Sequence, residues 1–170
     1  AGFRRILLSS HGDPKLEAAN LDSLISLKPA GVLLAPLGRV SDRDAVARFC
    51  DEVPTVLFDS KIENVAADFI GSDNAQSIPM IVEYLCRTGQ PPALFEMRAP
   101  VNPNANKRRK AYVEAMKQLG HDPRLIQVAG DGWAFEEIGF TEGRRVIEAG
   151  GLGTDTILCS NDRLAIGLIG

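Results

Sequence analysis

The sequence lacks the features that mark several large classes of protein. No apolar run approaches the length of about 20 residues that a membrane-spanning helix requires, so no membrane partner is expected. There is no Cys-x-x-Cys pair, and the three cysteines, Cys50, Cys86 and Cys159, each fall in a segment with apolar periodicity. This pattern favours buried, reduced thiols over a disulfide framework and indicates a cytoplasmic location.

Signatures of catalysis are also missing. No glycine-rich nucleotide or phosphate loop follows a predicted strand, and no Gly-x-Ser-x-Gly sequence is present. The two histidines, His11 and His121, are isolated from each other and from cysteine, so neither a metal site nor an acid–base pair is indicated. The net charge of −3 argues against a basic face for nucleic acid. We therefore expect neither an enzyme nor a cofactor.

What the sequence contains is a regular alternation of apolar runs and amphipathic segments. The apolar runs lack the polar–apolar alternation of half-exposed strands, which is typical of parallel strands buried on both faces. We therefore predict an α/β fold with doubly wound parallel sheets. The predicted strands are 4–10, 31–36, 54–59, a short one within 66–74, 92–97, 124–129 and 155–160; the predicted helices are 14–28, 42–51, 75–87, 107–119, 135–149 and a last one beginning near 162.

Local signals set several of the predicted helix boundaries. Ala1-Gly2-Phe3 has the pattern of a helix end with Gly2 in the residue after the cap. Asp13 followed by Pro14 predicts a helix start, and Asn161 or Asp162 predicts another. Pro79 falls inside the predicted helix 75–87 and should strain or shorten it.

Polar or aromatic side chains follow five of the predicted strands. They are Asp13, Asp59, Arg108, Trp133 and Asn161, with Trp133 set in a Gly-Asp-Gly turn. Because the carboxyl ends of parallel strands form the edge where open α/β sheets bind ligands, these residues are candidates for one binding site.

Each candidate also has a purely structural interpretation. Asp13 and Asn161 are good helix caps, and Asp59 is compatible with a solvated turn. Arg108 belongs to the run Lys-Arg-Arg-Lys, which is compatible with a solvated charged face. Trp133 could lie in the core. The residue pattern alone leaves both interpretations open at all five positions.

An ordered set of short motifs resembles the lactose-repressor (LacI) family of bacterial transcription regulators. The set comprises the start AGFRRILLSSHGDPKLEAANLDSLISLKPAGVLLAP, then Pro54 to Asp59, Asp73-Asn74, RRKAYVEAM (108–116), GDGWAFEEIGF (130–140) and TILCSNDRLAIGLIG (156–170). The sequence departs from the family pattern at Ala30, where Asp is usual, at Ser77 and Ile78 for Gly and Ala, and at Ala111 for Gly. Extra residues surround Trp133.

The resemblance implies a type I periplasmic-binding-protein-like fold with two subdomains, 1–72 and 73–170. It implies binding of a sugar or sugar-like effector by Asp59, Arg108, Trp133 and Asn161, and Asp13 is a fifth candidate through its position after the first predicted strand. Closure of the cleft between the two subdomains would then control how a homodimer binds operator DNA. The family's helix-turn-helix and the first strand and helix of its effector domain have no counterpart here, so strands 4–10 and 54–58 are expected to lack a neighbour. A periplasmic sugar-binding protein of a transport system is the alternative.

Overall fold

The computed structural model describes Gly2, residues 4–130 and residues 132–170. The predicted helix end at Ala1-Gly2-Phe3 and the central residue of the turn 130–132 therefore lie outside the described residues. The chain divides into two compact units, the first ending at Gly71 and the second beginning at Ser72. No helix within the described part is long and apolar enough to cross a membrane.

The N-terminal unit consists of helices on one face of a three-stranded parallel sheet. Its elements are α1 (Pro14–Leu27), β1 (Val32–Leu34), α2 (Arg43–Glu52), β2 (Thr55–Phe58) and β3 (Asp68–Ile70), with sheet order β1-β2-β3. Leu57 is the register partner of Leu34 on one side and of Phe69 on the other. These inward side chains pack with Phe49 and Val46 of α2 and form the core of the unit.

The opposite face of this sheet is open, contrary to the prediction from its apolar runs. Leu33 is 75% exposed and Ile70 is 66% exposed, and Phe58 is also exposed. These side chains alternate with Val32, Leu34 and Leu57, so the strands have one covered face and one open face. An apolar run therefore identified the strands correctly but did not establish that both faces are covered.

The predicted strand 4–10 is wrong. Residues 4–10 contain no regular secondary structure, and Leu7 is 96% exposed. A strand forms where a neighbour supplies backbone hydrogen-bond partners, and among the described residues of this unit the sheet contains only β1, β2 and β3. The matching expectation for 54–58 is also wrong, because β2 is the central strand and pairs on both sides.

Carboxylates anchor both helices of the N-terminal unit. Asp13 accepts a hydrogen bond from the backbone N of Lys15 at 2.8 Å, as predicted for a cap. Helix α2 is capped by Asp42 and begins at Arg43, one residue later than the predicted start at 42. Glu17 is buried on α1 and accepts from the backbone N of Leu37 at 2.9 Å, which attaches the loop after β1 to α1.

The C-terminal unit is a second three-stranded parallel sheet with helices on both faces. Its elements are α3 (Asn74–Thr88), β4 (Ala93–Met97), α4 (Asn104–Gln118), β5 (Arg124–Val128), α5 (Phe135–Glu148), β6 (Ile157–Cys159) and α6 (Asp162–Ile169). The sheet order β5-β4-β6 places β4 in the centre, and all its residues are buried. Leu94 packs on the side of α3 and α4, whereas Ala93, Phe95 and Met97 pack on the side of α5 and α6.

Helix α3 continues through Pro79 without being shortened, contrary to prediction. Proline removes one backbone donor from a helix interior, which ordinarily weakens the helix. Two features offset this loss: Asp73 caps the helix through the backbone N of Ala75 and Gln76, and Ile78 and Val82 bury its inner face. Packing therefore outweighs the unfavourable local preference.

Helices α5 and α6 cross at unusually close range because glycine occupies the contact. A Cβ added at Gly167 would collide with the backbone carbonyl of Glu136, and one at Gly139 would collide with the carbonyl of Leu164 and lie 3.2 Å from the Cα of Gly167. The first turns of α5 and α6 are therefore in close backbone contact next to the carboxyl edge of the sheet.

Candidate functional site

Arg108 lies at the carboxyl edge of the C-terminal sheet and is held by two neutral acceptors. Its Nε donates to Oδ1 of Asn74 at 3.0 Å, and its Nη1 donates to the backbone carbonyl of Ser160 at 2.7 Å. A guanidinium has five N–H groups, so three N–H groups of Arg108 have no acceptor among the described residues. Arg108 is half-buried and can present these donors to a ligand.

The helix that carries Arg108 begins earlier than predicted. The side chain of Asn102 accepts from the backbone N of Asn104 at 2.8 Å and starts α4 there, three residues before the predicted start. Arg108 consequently lies in the second turn and is not the residue that opens the helix. Its side chain is directed by the contacts with Asn74 and Ser160.

Asn161 follows β6 and has the predicted capping role. Its Oδ1 accepts from the backbone N of Leu164 at 2.8 Å, and the residue is half-buried. Capping occupies the acceptor of the amide and leaves its Nδ2 as a donor. Because the carbonyl of Ser160 binds Arg108, the structure places Arg108 beside the residue that precedes Asn161.

Trp133 belongs to an aromatic and ionic cluster at the start of α5. Its ring meets that of Phe135 edge to face, with centroids 5.8 Å apart. The guanidinium of Arg163 lies 5.3 Å from the centroid of Phe135 and forms two hydrogen bonds with Glu136, at 2.6 and 2.5 Å. These contacts connect the loop that carries Trp133 to the first turn of α6, which Asn161 caps.

The ion pair between Glu136 and Arg163 affects both ionisation equilibria. Hydrogen bonds from Arg163 hold the pKa of the Glu136 carboxyl below its usual value, and Glu136 raises the pKa of Arg163. Both groups therefore remain charged over the neutral range, and the positive charge of Arg163 is already balanced. Arg108, by contrast, is not within ion-pair distance of any carboxylate among the described residues.

A buried polar cluster behind Arg108 was not foreseen from the sequence. Glu96 of β4 is fully buried, lies 2.5 Å from Nε of Arg109 and accepts from Nε2 of Gln127 at 3.0 Å. The second oxygen of Glu96 and Nη2 of Arg109 are also buried, and neither has a hydrogen-bond partner among the described residues. A glutamate inside the apolar run 92–97 and a second arginine after Arg108 were the available signals.

The two remaining candidates, Asp13 and Asp59, belong to the N-terminal unit. Asp13 is an exposed helix cap, which matches its structural interpretation. Asp59 follows β2 and is exposed, with a left-handed backbone (φ 61°) and its N bound to the carbonyl of Ile70 at 3.1 Å. Such strained residues concentrate at functional sites, which keeps Asp59 a candidate. The other three candidates, Arg108, Asn161 and Trp133, belong to the C-terminal unit.

The chemistry available in the C-terminal unit is that of binding. Arg108 and Asn161 offer N–H donors, and Trp133 and Phe135 offer aromatic surface. Within the described ranges, no group of three or more His, Cys, Asp or Glu residues could hold a metal ion. The cysteines are free, and burial raises the pKa of the Cys159 thiol to about 11, so it is a weak nucleophile at neutral pH.

Comparison with known proteins identifies the fold. No family model and no curated protein matches the chain. Among solved structures, a probable LacI family transcriptional regulator from Corynebacterium glutamicum superposes with a TM-score of 0.77 and 17% identity, over 99% of this chain and 62% of its own. A Lac repressor dimer bound to operator and the anti-inducer ONPF gives a TM-score of 0.68 and 20% identity, over 95% and 54%.

Solute-binding proteins share the fold as well. An ABC transporter solute-binding protein from Burkholderia multivorans, with an unknown ligand interpreted as α-D-erythrofuranose, gives a TM-score of 0.71 and 20% identity, over 95% of this chain and 59% of its own. This chain therefore spans about half to three-fifths of the length of these proteins. It has the type I periplasmic-binding-protein-like fold, as predicted, and both classes of protein use that fold.

Proposed function

We propose that the chain is the effector-binding domain of a LacI-type transcription regulator, with residues 1–72 and 73–170 as its two effector subdomains. The effector is a sugar or a sugar-like molecule. It favours one closed arrangement of the subdomains through its higher affinity for that arrangement, and this population shift changes how a homodimer engages operator DNA.

The main support for the proposal is the fixed orientation and the unpaired charge of Arg108. Its side chain is fixed by Asn74 and Ser160, its charge is not balanced by a contacting carboxylate among the described residues, and three N–H groups are left over. A guanidinium held in this way is preorganised to donate hydrogen bonds to the hydroxyl or ring oxygens of a sugar. An arginine whose role was purely structural would be expected to use more of its donors within the protein.

In this proposal the other candidates each contact a different part of the ligand. Nδ2 of Asn161 donates to a hydroxyl, and Trp133 covers an apolar face of the ring, as aromatic side chains do in sugar sites. Asp59 and Asp13 supply acceptors from the N-terminal unit. In this proposal all five candidates contact the effector, and Asn161 contributes only donors, because its oxygen is occupied by the helix cap.

Three further observations support a dimeric cytoplasmic regulator. The three cysteines are free, as expected in a reducing compartment. The outer surfaces of α5 and α6 expose Phe140, Ile166 and Ile169, an apolar surface suited to a second copy. One of the solved structures that share this fold is a repressor dimer bound to operator.

Calorimetric titration of Arg108→Ala against a panel of pentoses, hexoses and nucleosides tests the proposal. Loss of one charge-assisted hydrogen bond should weaken binding of the best ligand about ten- to a hundredfold. The control is Lys110→Ala, which removes an exposed cation two residues further along α4 whose ion-pair partner among the described residues is Glu114. Equal affinities for wild type and Arg108→Ala, or unfolding of Arg108→Ala in a thermal melt, would refute the role of Arg108.

A periplasmic solute-binding protein is the second candidate, and the shared fold of the Burkholderia multivorans protein favours it. The coding sequence upstream of Ala1 distinguishes the two: a helix-turn-helix supports the regulator and a signal peptide supports the transport protein. In either case these 170 residues alone should not bind DNA specifically, because their net charge is −3. A sequence-specific gel shift with this chain at physiological salt would contradict that expectation.

A further inference from the structure

Asn74 is a buried polar residue whose side-chain amide makes two hydrogen bonds, one through its nitrogen and one through its oxygen. It is the first residue of α3, and only 5% of it is exposed. Its Nδ2 donates to the carbonyl of Ser72 at 3.3 Å, and its Oδ1 accepts from Nε of Arg108 at 3.0 Å. The first bond orients the amide, so that its oxygen faces Arg108.

The contact with Asn74 restricts Arg108 in a way that the contact with Ser160 alone does not. A guanidinium is planar and rigid, so one hydrogen bond still permits rotation about that bond. Acceptors at Nε and at Nη1 together fix the plane. Because the Ser160 acceptor is a backbone carbonyl, Asn74 is the partner whose side chain sets this constraint.

An amide at this position also preserves the charge of Arg108. A carboxylate would hold the guanidinium equally well but would form an ion pair and reduce its attraction for a ligand oxygen. An alanine would leave the Nε–H without its partner and the side chain free to adopt other rotamers. Asparagine therefore combines orientation with an unbalanced positive charge.

We propose that Asn74 is a positioning residue that presents Arg108 to the effector in a preorganised orientation. The proposal rests on the proposed function, in which Arg108 contacts that effector. Asn74 itself does not touch the ligand, so its contribution to affinity passes entirely through Arg108.

A double-mutant cycle measures this dependence. Asn74→Ala, Arg108→Ala and the double variant are titrated with the sugar that wild type binds best, and Gln76→Ala, an exposed position in the same turn of α3, serves as the control. We expect Asn74→Ala to weaken binding roughly tenfold when Arg108 is present and to have no further effect on Arg108→Ala. An equal loss in both backgrounds would overturn the proposal.

Nuclear magnetic resonance of the arginine side chains tests the positioning without a ligand. The Nε–H of Arg108 should exchange slowly with solvent in wild type and in Asn74→Asp, which keeps an acceptor oxygen, and rapidly in Asn74→Ala. Unchanged exchange in Asn74→Ala would overturn the positioning role. If no sugar binds wild type but the exchange changes as expected, the proposed function fails while the contact between Asn74 and Arg108 stands.

Discussion

The carboxylate of Glu96 and the guanidinium of Arg109 form an ion pair of 2.5 Å inside the C-terminal unit, with Glu96 fully buried on the central strand. Removal of a carboxylate from water is costly, and attraction to Arg109 together with the hydrogen bond from Gln127 offsets the cost. The pair joins β4 to the second turn of α4, the turn that also carries Arg108. It therefore links the core of this unit to the candidate site.

We expect Glu96→Leu to destabilise the protein by about 3–5 kcal/mol, because Arg109 would lose its counter-charge in a largely buried position. The double variant Glu96→Leu/Arg109→Met should recover most of this loss, since two apolar side chains of similar volume can replace a buried pair. Urea unfolding monitored by circular dichroism measures both effects. A single variant as stable as wild type would show that the ion pair contributes little.

We expect Gly167→Ala to destabilise the protein by about 1–3 kcal/mol, because the new methyl group would meet the backbone of Glu136. Gly143→Ala is the matched control on the facing helix, where the methyl group would meet the movable tip of Leu168. The gain in helix propensity should keep Gly143→Ala close to wild type. Thermal melts that rank the two variants in the opposite order would contradict the close helix crossing.

Substitutions at Asn161 should separate its capping role from its binding role. Asn161→Ser keeps a capping oxygen for the backbone N of Leu164 and should retain stability, whereas Asn161→Ala should cost about 1 kcal/mol. Both variants lose Nδ2 and should bind the effector more weakly by a similar factor. If Asn161→Ser binds as wild type does, Asn161 is only a cap.

The Cys159 thiol should react slowly in the native protein and faster as the pH rises. Its pKa is raised to about 11 by burial, so at pH 8 only about one thiol in a thousand is the reactive thiolate. Alkylation by iodoacetamide, followed by peptide mass spectrometry, should be at least about a hundredfold slower than in urea. Its rate should increase about tenfold per pH unit between pH 8 and 10. Equal rates with and without urea would contradict the burial.

Local sequence signals predicted the elements whose stability is local. The caps at Asp13 and Asn161 and the alternation of strands and helices are confirmed, because side-chain capping and apolar periodicity act within a few residues. The segment 4–10 was mistaken for a strand because pairing depends on a neighbour that an apolar run cannot supply. Pro79 was expected to strain or shorten α3, and the helix is not shortened because its packing, which the local sequence does not reveal, outweighs the local preference.

The candidate site was only partly predictable, because its residues are visible in the sequence but their tertiary contacts are not. Arg108 could be selected because it lies in the segment that follows a predicted strand, but its contact with Asn74 joins positions 34 residues apart. Glu96 and Arg109 could not be paired from sequence, because Glu96 interrupts an apolar run without indicating its partner and Arg109 is compatible with a solvated face. Asp59 and Asp13 stay predictions as ligand residues.

The protein has a single tryptophan, and its ring stands edge to face against Phe135 at the start of α5. Fluorescence excited at the red edge of the indole absorption band, where tyrosine does not absorb, therefore originates at position 133 alone. This gives the candidate site a built-in optical probe, so its occupancy can be followed without an attached dye. Quenching or a spectral shift then reports on this loop, while the signal of a surface label would average over many environments.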